Sequence, residues 1–209
     1  LPTNFITNRI LHILINGFNG NMGQAIQAQC KQFDFIASDF QAKAINLNNI
    51  SAVIDFSSPA GFIACVNFCI EHNLPLISGT TGLSEEHVLL ISTAKKSIPI
   101  LIASNMSLGI ANLKSLIKEY LMSMSIPSKC SITEIHHINK KDSTSGTALE
   151  ICRFLEGLSG SKIDGPIEMQ SHRIGNVFGM HRIDFENAEG TTTFQHIANS
   201  RNIFAKGAL

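Results

Sequence analysis

Arg9-Ile10-Leu11-His12-Ile13-Leu14-Ile15-Asn16-Gly17-Phe18-Asn19-Gly20-Asn21-Met22-Gly23 joins a mostly apolar run of strand length to a glycine-bearing turn and the start of a helical pattern. A run without polar alternation is what a parallel strand buried on both faces requires. The glycines permit a tight turn and close backbone approach, and the free amides of the helix start can receive a pyrophosphate. The helical pattern covers residues 21–32, and a second strand-like run at 35–37 ends at Ser38-Asp39, completing a β-α-β order. Further apolar runs follow at 52–56, leading into Ser57-Ser58-Pro59 and a helix to about residue 71, at 76–78, leading into Gly79-Thr80-Thr81-Gly82, and at 98–103, ending in Ser104-Asn105. Five short strands alternating with helices predict an α/β, Rossmann-like, doubly wound parallel sheet, with ligands at the carboxyl ends of its strands.

The pattern changes after Asn105. Helical spacing at 110–124 and 146–158, and strands at 130–135, 180–185 and 191–198, predict a second, α+β domain with a mainly antiparallel sheet. The chain is 209 residues, 44% hydrophobic and 15% charged with formal net charge +0, so no broad attraction to nucleic acid or to a membrane surface follows. No apolar run approaches the roughly 18 residues of a membrane span and no basic stretch leads into an apolar signal core, so a cytoplasmic protein is expected. The opening Leu1-Pro2-Thr3-Asn4 without Met, and an ending at Ala205-Lys206-Gly207-Ala208-Leu209 that looks like a helix beginning, suggest incomplete termini. Five scattered cysteines argue against a disulfide framework or a zinc ribbon. Cys65 and Cys69, four apart in a helical pattern, fit core packing better than half of a metal site, since no second ligand pair accompanies them.

Asn19 replaces the usual middle glycine of the dinucleotide-binding turn, and a plain strand-to-helix turn would also favour Gly and Asn. Asp39 strengthens the nucleotide reading, because an acidic side chain at the end of the second strand can accept hydrogen bonds from the adenine ribose. A carboxylate there welcomes a 2′-hydroxyl and repels a 2′-phosphate. With Phe40 next and Lys43 near enough to rescue phosphate binding, NADH is expected to be preferred and NADPH tolerated. Gly79-Thr80-Thr81 and Ala103-Ser104-Asn105-Met106 sit where an open sheet presents ligand contacts, although turn and cap chemistry would select the same residues.

In Glu134-Ile135-His136-His137-Ile138-Asn139-Lys140-Lys141-Asp142-Ser143-Thr144-Ser145-Gly146-Thr147, two imidazoles and an ammonium precede a helix start. Such a cluster suits a dianionic substrate: His and Lys neutralise charge and move protons, while free amides and hydroxyls grip a carboxylate. A metal site is the rival use of paired histidines. Adjacent strand residues point to opposite faces, however, and no third ligand is evident, so no metal is expected. Two solvated loop histidines remain the bland alternative.

Taken together, Glu134-x-His-His-x-x-Lys-x-Asp-x-x-Ser-Gly-Thr-Ala148 resembles the signature of 4-hydroxy-tetrahydrodipicolinate (dihydrodipicolinate) reductases. Gly17 to Gly23, Ile54 to Pro59, Gly79 to Gly82, Ser104 to Gly109, Ser200-Arg201 and Phe204 to Ala208 look similar in the family's order. The resemblance implies reduction of a cyclic dicarboxylate on the diaminopimelate route to lysine by hydride from NAD(P)H. It implies His136 as general acid/base and Lys140 as proton donor. His137, Lys140, Ser145, Gly146 and Thr147 would bind the substrate carboxylates. The cofactor would lie along Gly17, Phe18, Asn19, Gly20, Asn21, Met22, Asp39, Gly79, Thr80, Thr81, Ala103, Ser104, Asn105 and Met106. The expected organisation is a dinucleotide-binding domain at 1–106 and 202–209 and a substrate-binding and oligomerisation domain at 107–201, with a homotetramer built through the second domain's sheet. Phe40, Asn19 and Met106 depart from the family's commoner residues, and 160–170 is shorter than its usual loop. A Rossmann oxidoreductase for another small dicarboxylate, a non-catalytic NAD-binding redox sensor and a metal hydrolase are the competing readings.

Overall fold

The computed structural model describes residues 10–43, 45–140, 144–160 and 162–209. The chain divides into two compact units, one ending at Ala103 and taking in Ala208–Leu209, the other spanning Ser104–Gly207. The first is a wholly parallel sheet of β1 (His12–Asn16), β2 (Ile36–Asp39), β3 (Ala52–Asp55), β4 (Leu76–Ser78) and β5 (Ile100–Ile102), in the order β2-β1-β3-β4-β5. Between the strands run α1 (Asn21–Gln32), α2 (Pro59–Glu71) and α3 (Glu85–Ala94). β1 and β3 are central because Ile13, Leu14, Ile15, Val53 and Ile54 are apolar and buried, as strands covered on both faces must be. α2 starts cleanly: the Ser58 side chain accepts from the Gly61 amide, and Pro59 occupies the first turn, where its missing N–H costs nothing. Cys65 and Cys69 are fully buried beside Leu14, Val53, Phe62 and Leu76, which is the packing use expected of them. The strand order reverses between β1 and β3, so this Rossmann-like sheet has its topological switch point where Asn16 pairs with Asp55.

The second unit holds α4 (Leu108–Ser123), β6 (Lys129–His136), α5 (Gly146–Ser159), β7 (Glu168–Arg173), β8 (Met180–Asn187), β9 (Gly190–Ile197) and most of α6 (Asn202–Ala208). Its sheet order is β7-β6-β8-β9. The β6–β8 and β8–β9 pairs are antiparallel, and β6–β7 is parallel. The parallel pair arises because α5 supplies the long crossover that such a pair needs. One face of the sheet packs against α4 and α5 through Ile110, Leu113, Ile117, Leu121, Ile132, Ile151, Leu155, Ile183 and Phe185.

Ser104, Asn105 and Met106, expected with the first domain, group with the second unit, as do residues 202–207. Their local bonds explain it: Ser104 Oγ donates to Glu150 Oε2 at 2.6 Å, Asn105 Nδ2 donates to Thr147 Oγ1 at 3.1 Å, and Gly207 packs against the Met106 carbonyl. Among the described residues no helix is long and apolar enough to cross a membrane.

Candidate active site

The first unit gathers one set of candidate residues at the carboxyl edge of its sheet. Gly17 to Gly20 form the turn after β1, Asn21 and Met22 open α1, Asp39 ends β2, Gly79 to Thr81 follow β4, and Ala103 follows β5. Gly17 has φ +86°, and a Cβ there would strike the Phe56 carbonyl; a Cβ at Gly23 would strike the Gly17 carbonyl. Only glycine lets these backbones approach so closely. The N-cap Gly20 offers no side-chain acceptor and the first turn of α1 has no acidic residue, which leaves its leading amides suited to an anion. That donor set fits a pyrophosphate.

Behind this edge lies a buried carboxylate. Asp55 is 0% exposed; its Oδ1 accepts from Asn16 Nδ2 at 2.8 Å and from Ser57 Oγ, and its Oδ2 accepts from Ser78 Oγ and Thr80 Oγ1, both at 2.7 Å. Thr80 Oγ1 in turn accepts from the Ser57 amide at 3.0 Å. The Thr80 hydroxyl is therefore committed inward, as is its amide, which donates to Ser78 Oγ at 3.2 Å, and what Thr80 can offer a ligand is its carbonyl. Asp39 Oδ1 accepts from the Gln41 amide at 3.0 Å, while the Phe40 ring packs edge-on against Phe68 at 4.9 Å.

In the second unit, His136 ends β6 and is buried, with His137 just beyond the strand and half-buried. The Lys140 amide donates to the His137 carbonyl at 3.1 Å, closing a turn that keeps Lys140 near both imidazoles. Lys141, Asp142 and Ser143 lie outside the described residues. Ser145 caps α5, accepting from the Ala148 amide at 3.1 Å, and its own amide donates to Glu134 Oε1 at 2.9 Å. Its hydroxyl lies 3.3 Å from His181 Nε2 and is 2% exposed with its residue, so the helix-start amides of Gly146 and Thr147 are the better-placed anion donors. His136, His137, Lys140, Ser145, Gly146 and Thr147 thus assemble around one end of β6 and the start of α5.

Two family models cover most of the chain: the N-terminus of dihydrodipicolinate reductase matches residues 28–106 and its C-terminus residues 109–209. The 4-hydroxy-tetrahydrodipicolinate reductase of Rickettsia rickettsii is 33% identical over 219 residues, covering 96% of this chain and 91% of the relative. That of Alkaliphilus metalliredigens is 32% identical, covering 95% and 90%. The chain belongs to the dihydrodipicolinate reductase family. A dipicolinate-bound dihydrodipicolinate reductase from Paenisporosarcina sp. TG-14 shares its fold at TM-score 0.70 and 19% identity, covering 95% of this chain and 91% of that one. Aspartate semialdehyde dehydrogenase II from Vibrio cholerae, at TM-score 0.60 and 8% identity over 96% of each chain, shows that the fold extends beyond the family.

Three residues that matter to the charge of this dihydrodipicolinate reductase site received no role from sequence. Glu134 is 1% exposed and accepts from Ser171 Oγ at 2.8 Å and Arg173 Nη2 at 3.3 Å as well as from Ser145. Arg173 comes from β7, a polar strand without alternation, and His181 comes from β8, where the Glu134–His181 pairing puts it beside the carboxylate. The one available signal was His181 in phase with inward Ile183 and Phe185. Burial opposes the charge on Glu134, but hydrogen bonds from Ser145 and Ser171 outweigh it and hold the carboxyl below its ordinary range. Burial pushes His136 and His181 down to about 4, so both are neutral at pH 7. His137 is lowered by burial and by Arg201, Lys140 and Arg173.

A pH dependence of stability follows. With folded values of about 4 against an ordinary 6.5, the unfolded chain binds more protons between those limits. Stability is therefore full above pH 6.5 and falls as pH drops towards 4, by about 2 kcal/mol per imidazole at pH 5. The lowered Glu134 extends the loss further into acid. Urea unfolding at pH 7.5 and pH 5 checks this, and equal midpoints would contradict it.

Proposed function

We propose that this chain reduces 4-hydroxy-tetrahydrodipicolinate to tetrahydrodipicolinate on the diaminopimelate route to lysine, acting in the cytoplasm with a nicotinamide dinucleotide as hydride source. The observation that carries the reading is the assembly of His136, His137, Lys140 and the α5 start at one end of β6 in a member of this family. The first unit's glycine turn, the amides of Asn21 and Met22, the backbone at Gly79-Thr80-Thr81 and Asp39 hold the dinucleotide, aided by Ala103-Ser104-Asn105-Met106. When bound, the dinucleotide supplies hydride to the carbon that bore the hydroxyl.

The rest of the change is proton traffic, and the two candidate groups differ in what they can give. Replacing a hydroxyl by hydrogen requires the hydroxyl to leave as water, which takes a proton donor at that oxygen and a base for the adjacent C–H. The Lys140 ammonium is the donor. His136, neutral at pH 7, is the base, and the imidazolium it becomes returns its proton to the same carbon after hydride arrives. The amides of Gly146 and Thr147 with His137 and Lys140 hold the carboxylates and stabilise charge as it develops. This keeps Lys140 as the proton donor that the resemblance implies and gives His136 the base's part of its acid/base role.

All five cysteines are free thiols, which suits a reducing compartment. The sheet face away from α4 and α5 carries an apolar row, Ile135, Met180 and Ile197, in register across β6, β8 and β9, with Ile197 52% exposed. That row supports a homotetramer assembled through this face.

The deciding assay follows oxidation of the reduced dinucleotide with freshly generated 4-hydroxy-tetrahydrodipicolinate, with pyridine-2,6-dicarboxylate as competitor. Absence of turnover ends the proposal. In the same assay kcat/KM is expected to be higher with NADH, because Asp39 repels a 2′-phosphate and Phe40 is packed away against Phe68. A tenfold preference for NADPH would reverse that assignment.

A further inference from the structure

Ser145, Ser171, Arg173, His136 and His181 converge on one side chain whose position the reaction itself does not require. Glu134 Oε1 is crowded with donors from three places: the Ser145 amide at the start of α5, and Ser171 Oγ and Arg173 Nη2 on β7. Oε2 is different. It is fully buried with no hydrogen-bond partner among the described residues, 3.5 Å from His136 Nδ1 and 3.7 Å from His181 Nε2. His136 Nδ1 is likewise buried without a partner. Glu134 and His136 are two apart on β6 and share a face, so the two orphans lie side by side.

We propose that Glu134 is a positioning residue: its carboxylate keeps the proton of His136 on Nδ1, leaving Nε2 as the base, and fastens the carboxylate-binding start of α5 to the same strand. The inference rests on the role given to His136 above. A carboxylate can only accept, so the nitrogen facing it must carry the proton. Two buried polar atoms left unpaired would each be costly, and facing each other they have one remedy. The other ring nitrogen has room to work: a Cβ at Gly179 would lie 3.2 Å from His136 Nε2, and the absence of one keeps that side open. Among the described residues, the charged and titratable groups around His136 are Glu134, Lys140, Arg173, His137 and His181. Glu134 is the single anion among them, so it also steadies the imidazolium that forms when Nε2 takes a proton.

Glu134, His136 and His181 also bring ligand atoms within 4.8 Å of one another, a third ligand that sequence did not reveal. A divalent cation there would sit among Arg173, Lys140 and His137, adding to a positive field, whereas the tautomer role uses the field as it stands.

The test uses the whole chain. Imidazole nitrogen NMR of the unaltered protein at pH 7, with His136 assigned by its loss in His136→Gln, is expected to show Nδ1 protonated and Nε2 bare; the opposite tautomer overturns the proposal. Glu134→Gln presents an amide that can donate to Nδ1, so His136 should switch to the Nε2-protonated form. kcat should then fall roughly 10⁴-fold, the scale of a wrong tautomer. The Kd for NADH should stay within about twofold, and KM should change far less than kcat. Glu134→Asp, which keeps the charge, should recover part of the rate. A Glu134→Gln variant within threefold of the parent kcat overturns the proposal, as does stoichiometric zinc in the purified protein that this variant releases. An unaltered chain that does not turn over fresh substrate instead removes the reading on which the proposal rests.

Discussion

Lys140→Ala lowers kcat by roughly 10²-fold or more, the scale of a lost general acid, while the Kd for NADH stays unchanged. His136 and His181 are held neutral by burial, so neither enters the reaction at pH 7 with a proton to give. Lys140, whose positive charge is felt at His136, is the proposed donor. His136→Asn should cost a comparable factor for the opposite reason, since it removes the acceptor. Because both act on one sequence of proton transfers, the double variant should be little slower than the worse single one. The groups proposed to bind the dinucleotide, at the glycine turn, Asp39 and Gly79 to Thr81, belong to the other compact unit, so their affinity is the internal control. Stopped-flow turnover and NADH fluorescence titration provide the two numbers. Loss of NADH affinity equal to the loss of kcat would refute the division of labour.

Asp55→Ala is expected to destabilise the protein by about 3 kcal/mol or more, although Asp55 touches no reacting atom. Its carboxylate satisfies Asn16, Ser57, Ser78 and Thr80 at once; Ser57 is exposed and Asn16 Nδ2 also donates to Ser57 Oγ and the Gly61 carbonyl, but the Ser78 and Thr80 hydroxyls are buried with water excluded. Removing the acceptor strands these two buried donors, each worth about 1–3 kcal/mol. The damage should also reach function, because the loops after β1, β3 and β4 are fastened to this single group. Urea unfolding gives the stability, and a parallel titration should show weaker NADH binding. Asp55→Asn, which keeps one acceptor, should fall between the two, and an Asp55→Ala protein as stable as its parent would disprove the account.

The first sheet was readable from sequence because its inner strands, β1, β3 and β4, are largely buried and show as apolar runs; β4 lies where its three apolar and small residues predicted it, and α1 covers 21–32 as expected. β7 was invisible for the converse reason. Glu168-Met-Gln-Ser-His-Arg173 is an edge strand, largely exposed, with no alternation to betray it. Its absence from the expected fold hid both the parallel pairing with β6 and the Arg173 and Ser171 contacts to Glu134. The histidine pair was legible as a cluster, and the structure places His136 at the end of β6 with His137 just beyond it. What sequence could not supply was which polar groups are buried, since a polar residue in an alternating strand reads as solvent-facing. His181 and Glu134 are exceptions created by the neighbouring strands and the α5 cap, which only tertiary structure brings together.

The Asp55 hub reaches β1, β3 and β4, and none of its described hydrogen bonds touches β2. β2 is an edge strand, and Asp39 with its followers stands outside that wiring. A lineage, or a designer, could therefore retune which dinucleotide is accepted by editing the few residues after β2, one at a time, while the pyrophosphate cradle resists piecemeal change. Phe40 is the exception, because its ring is lodged against Phe68 and a basic residue there would trade selectivity against core packing. Gln41 and Lys43, both exposed, are the positions where a phosphate-binding cation could be installed with least disturbance.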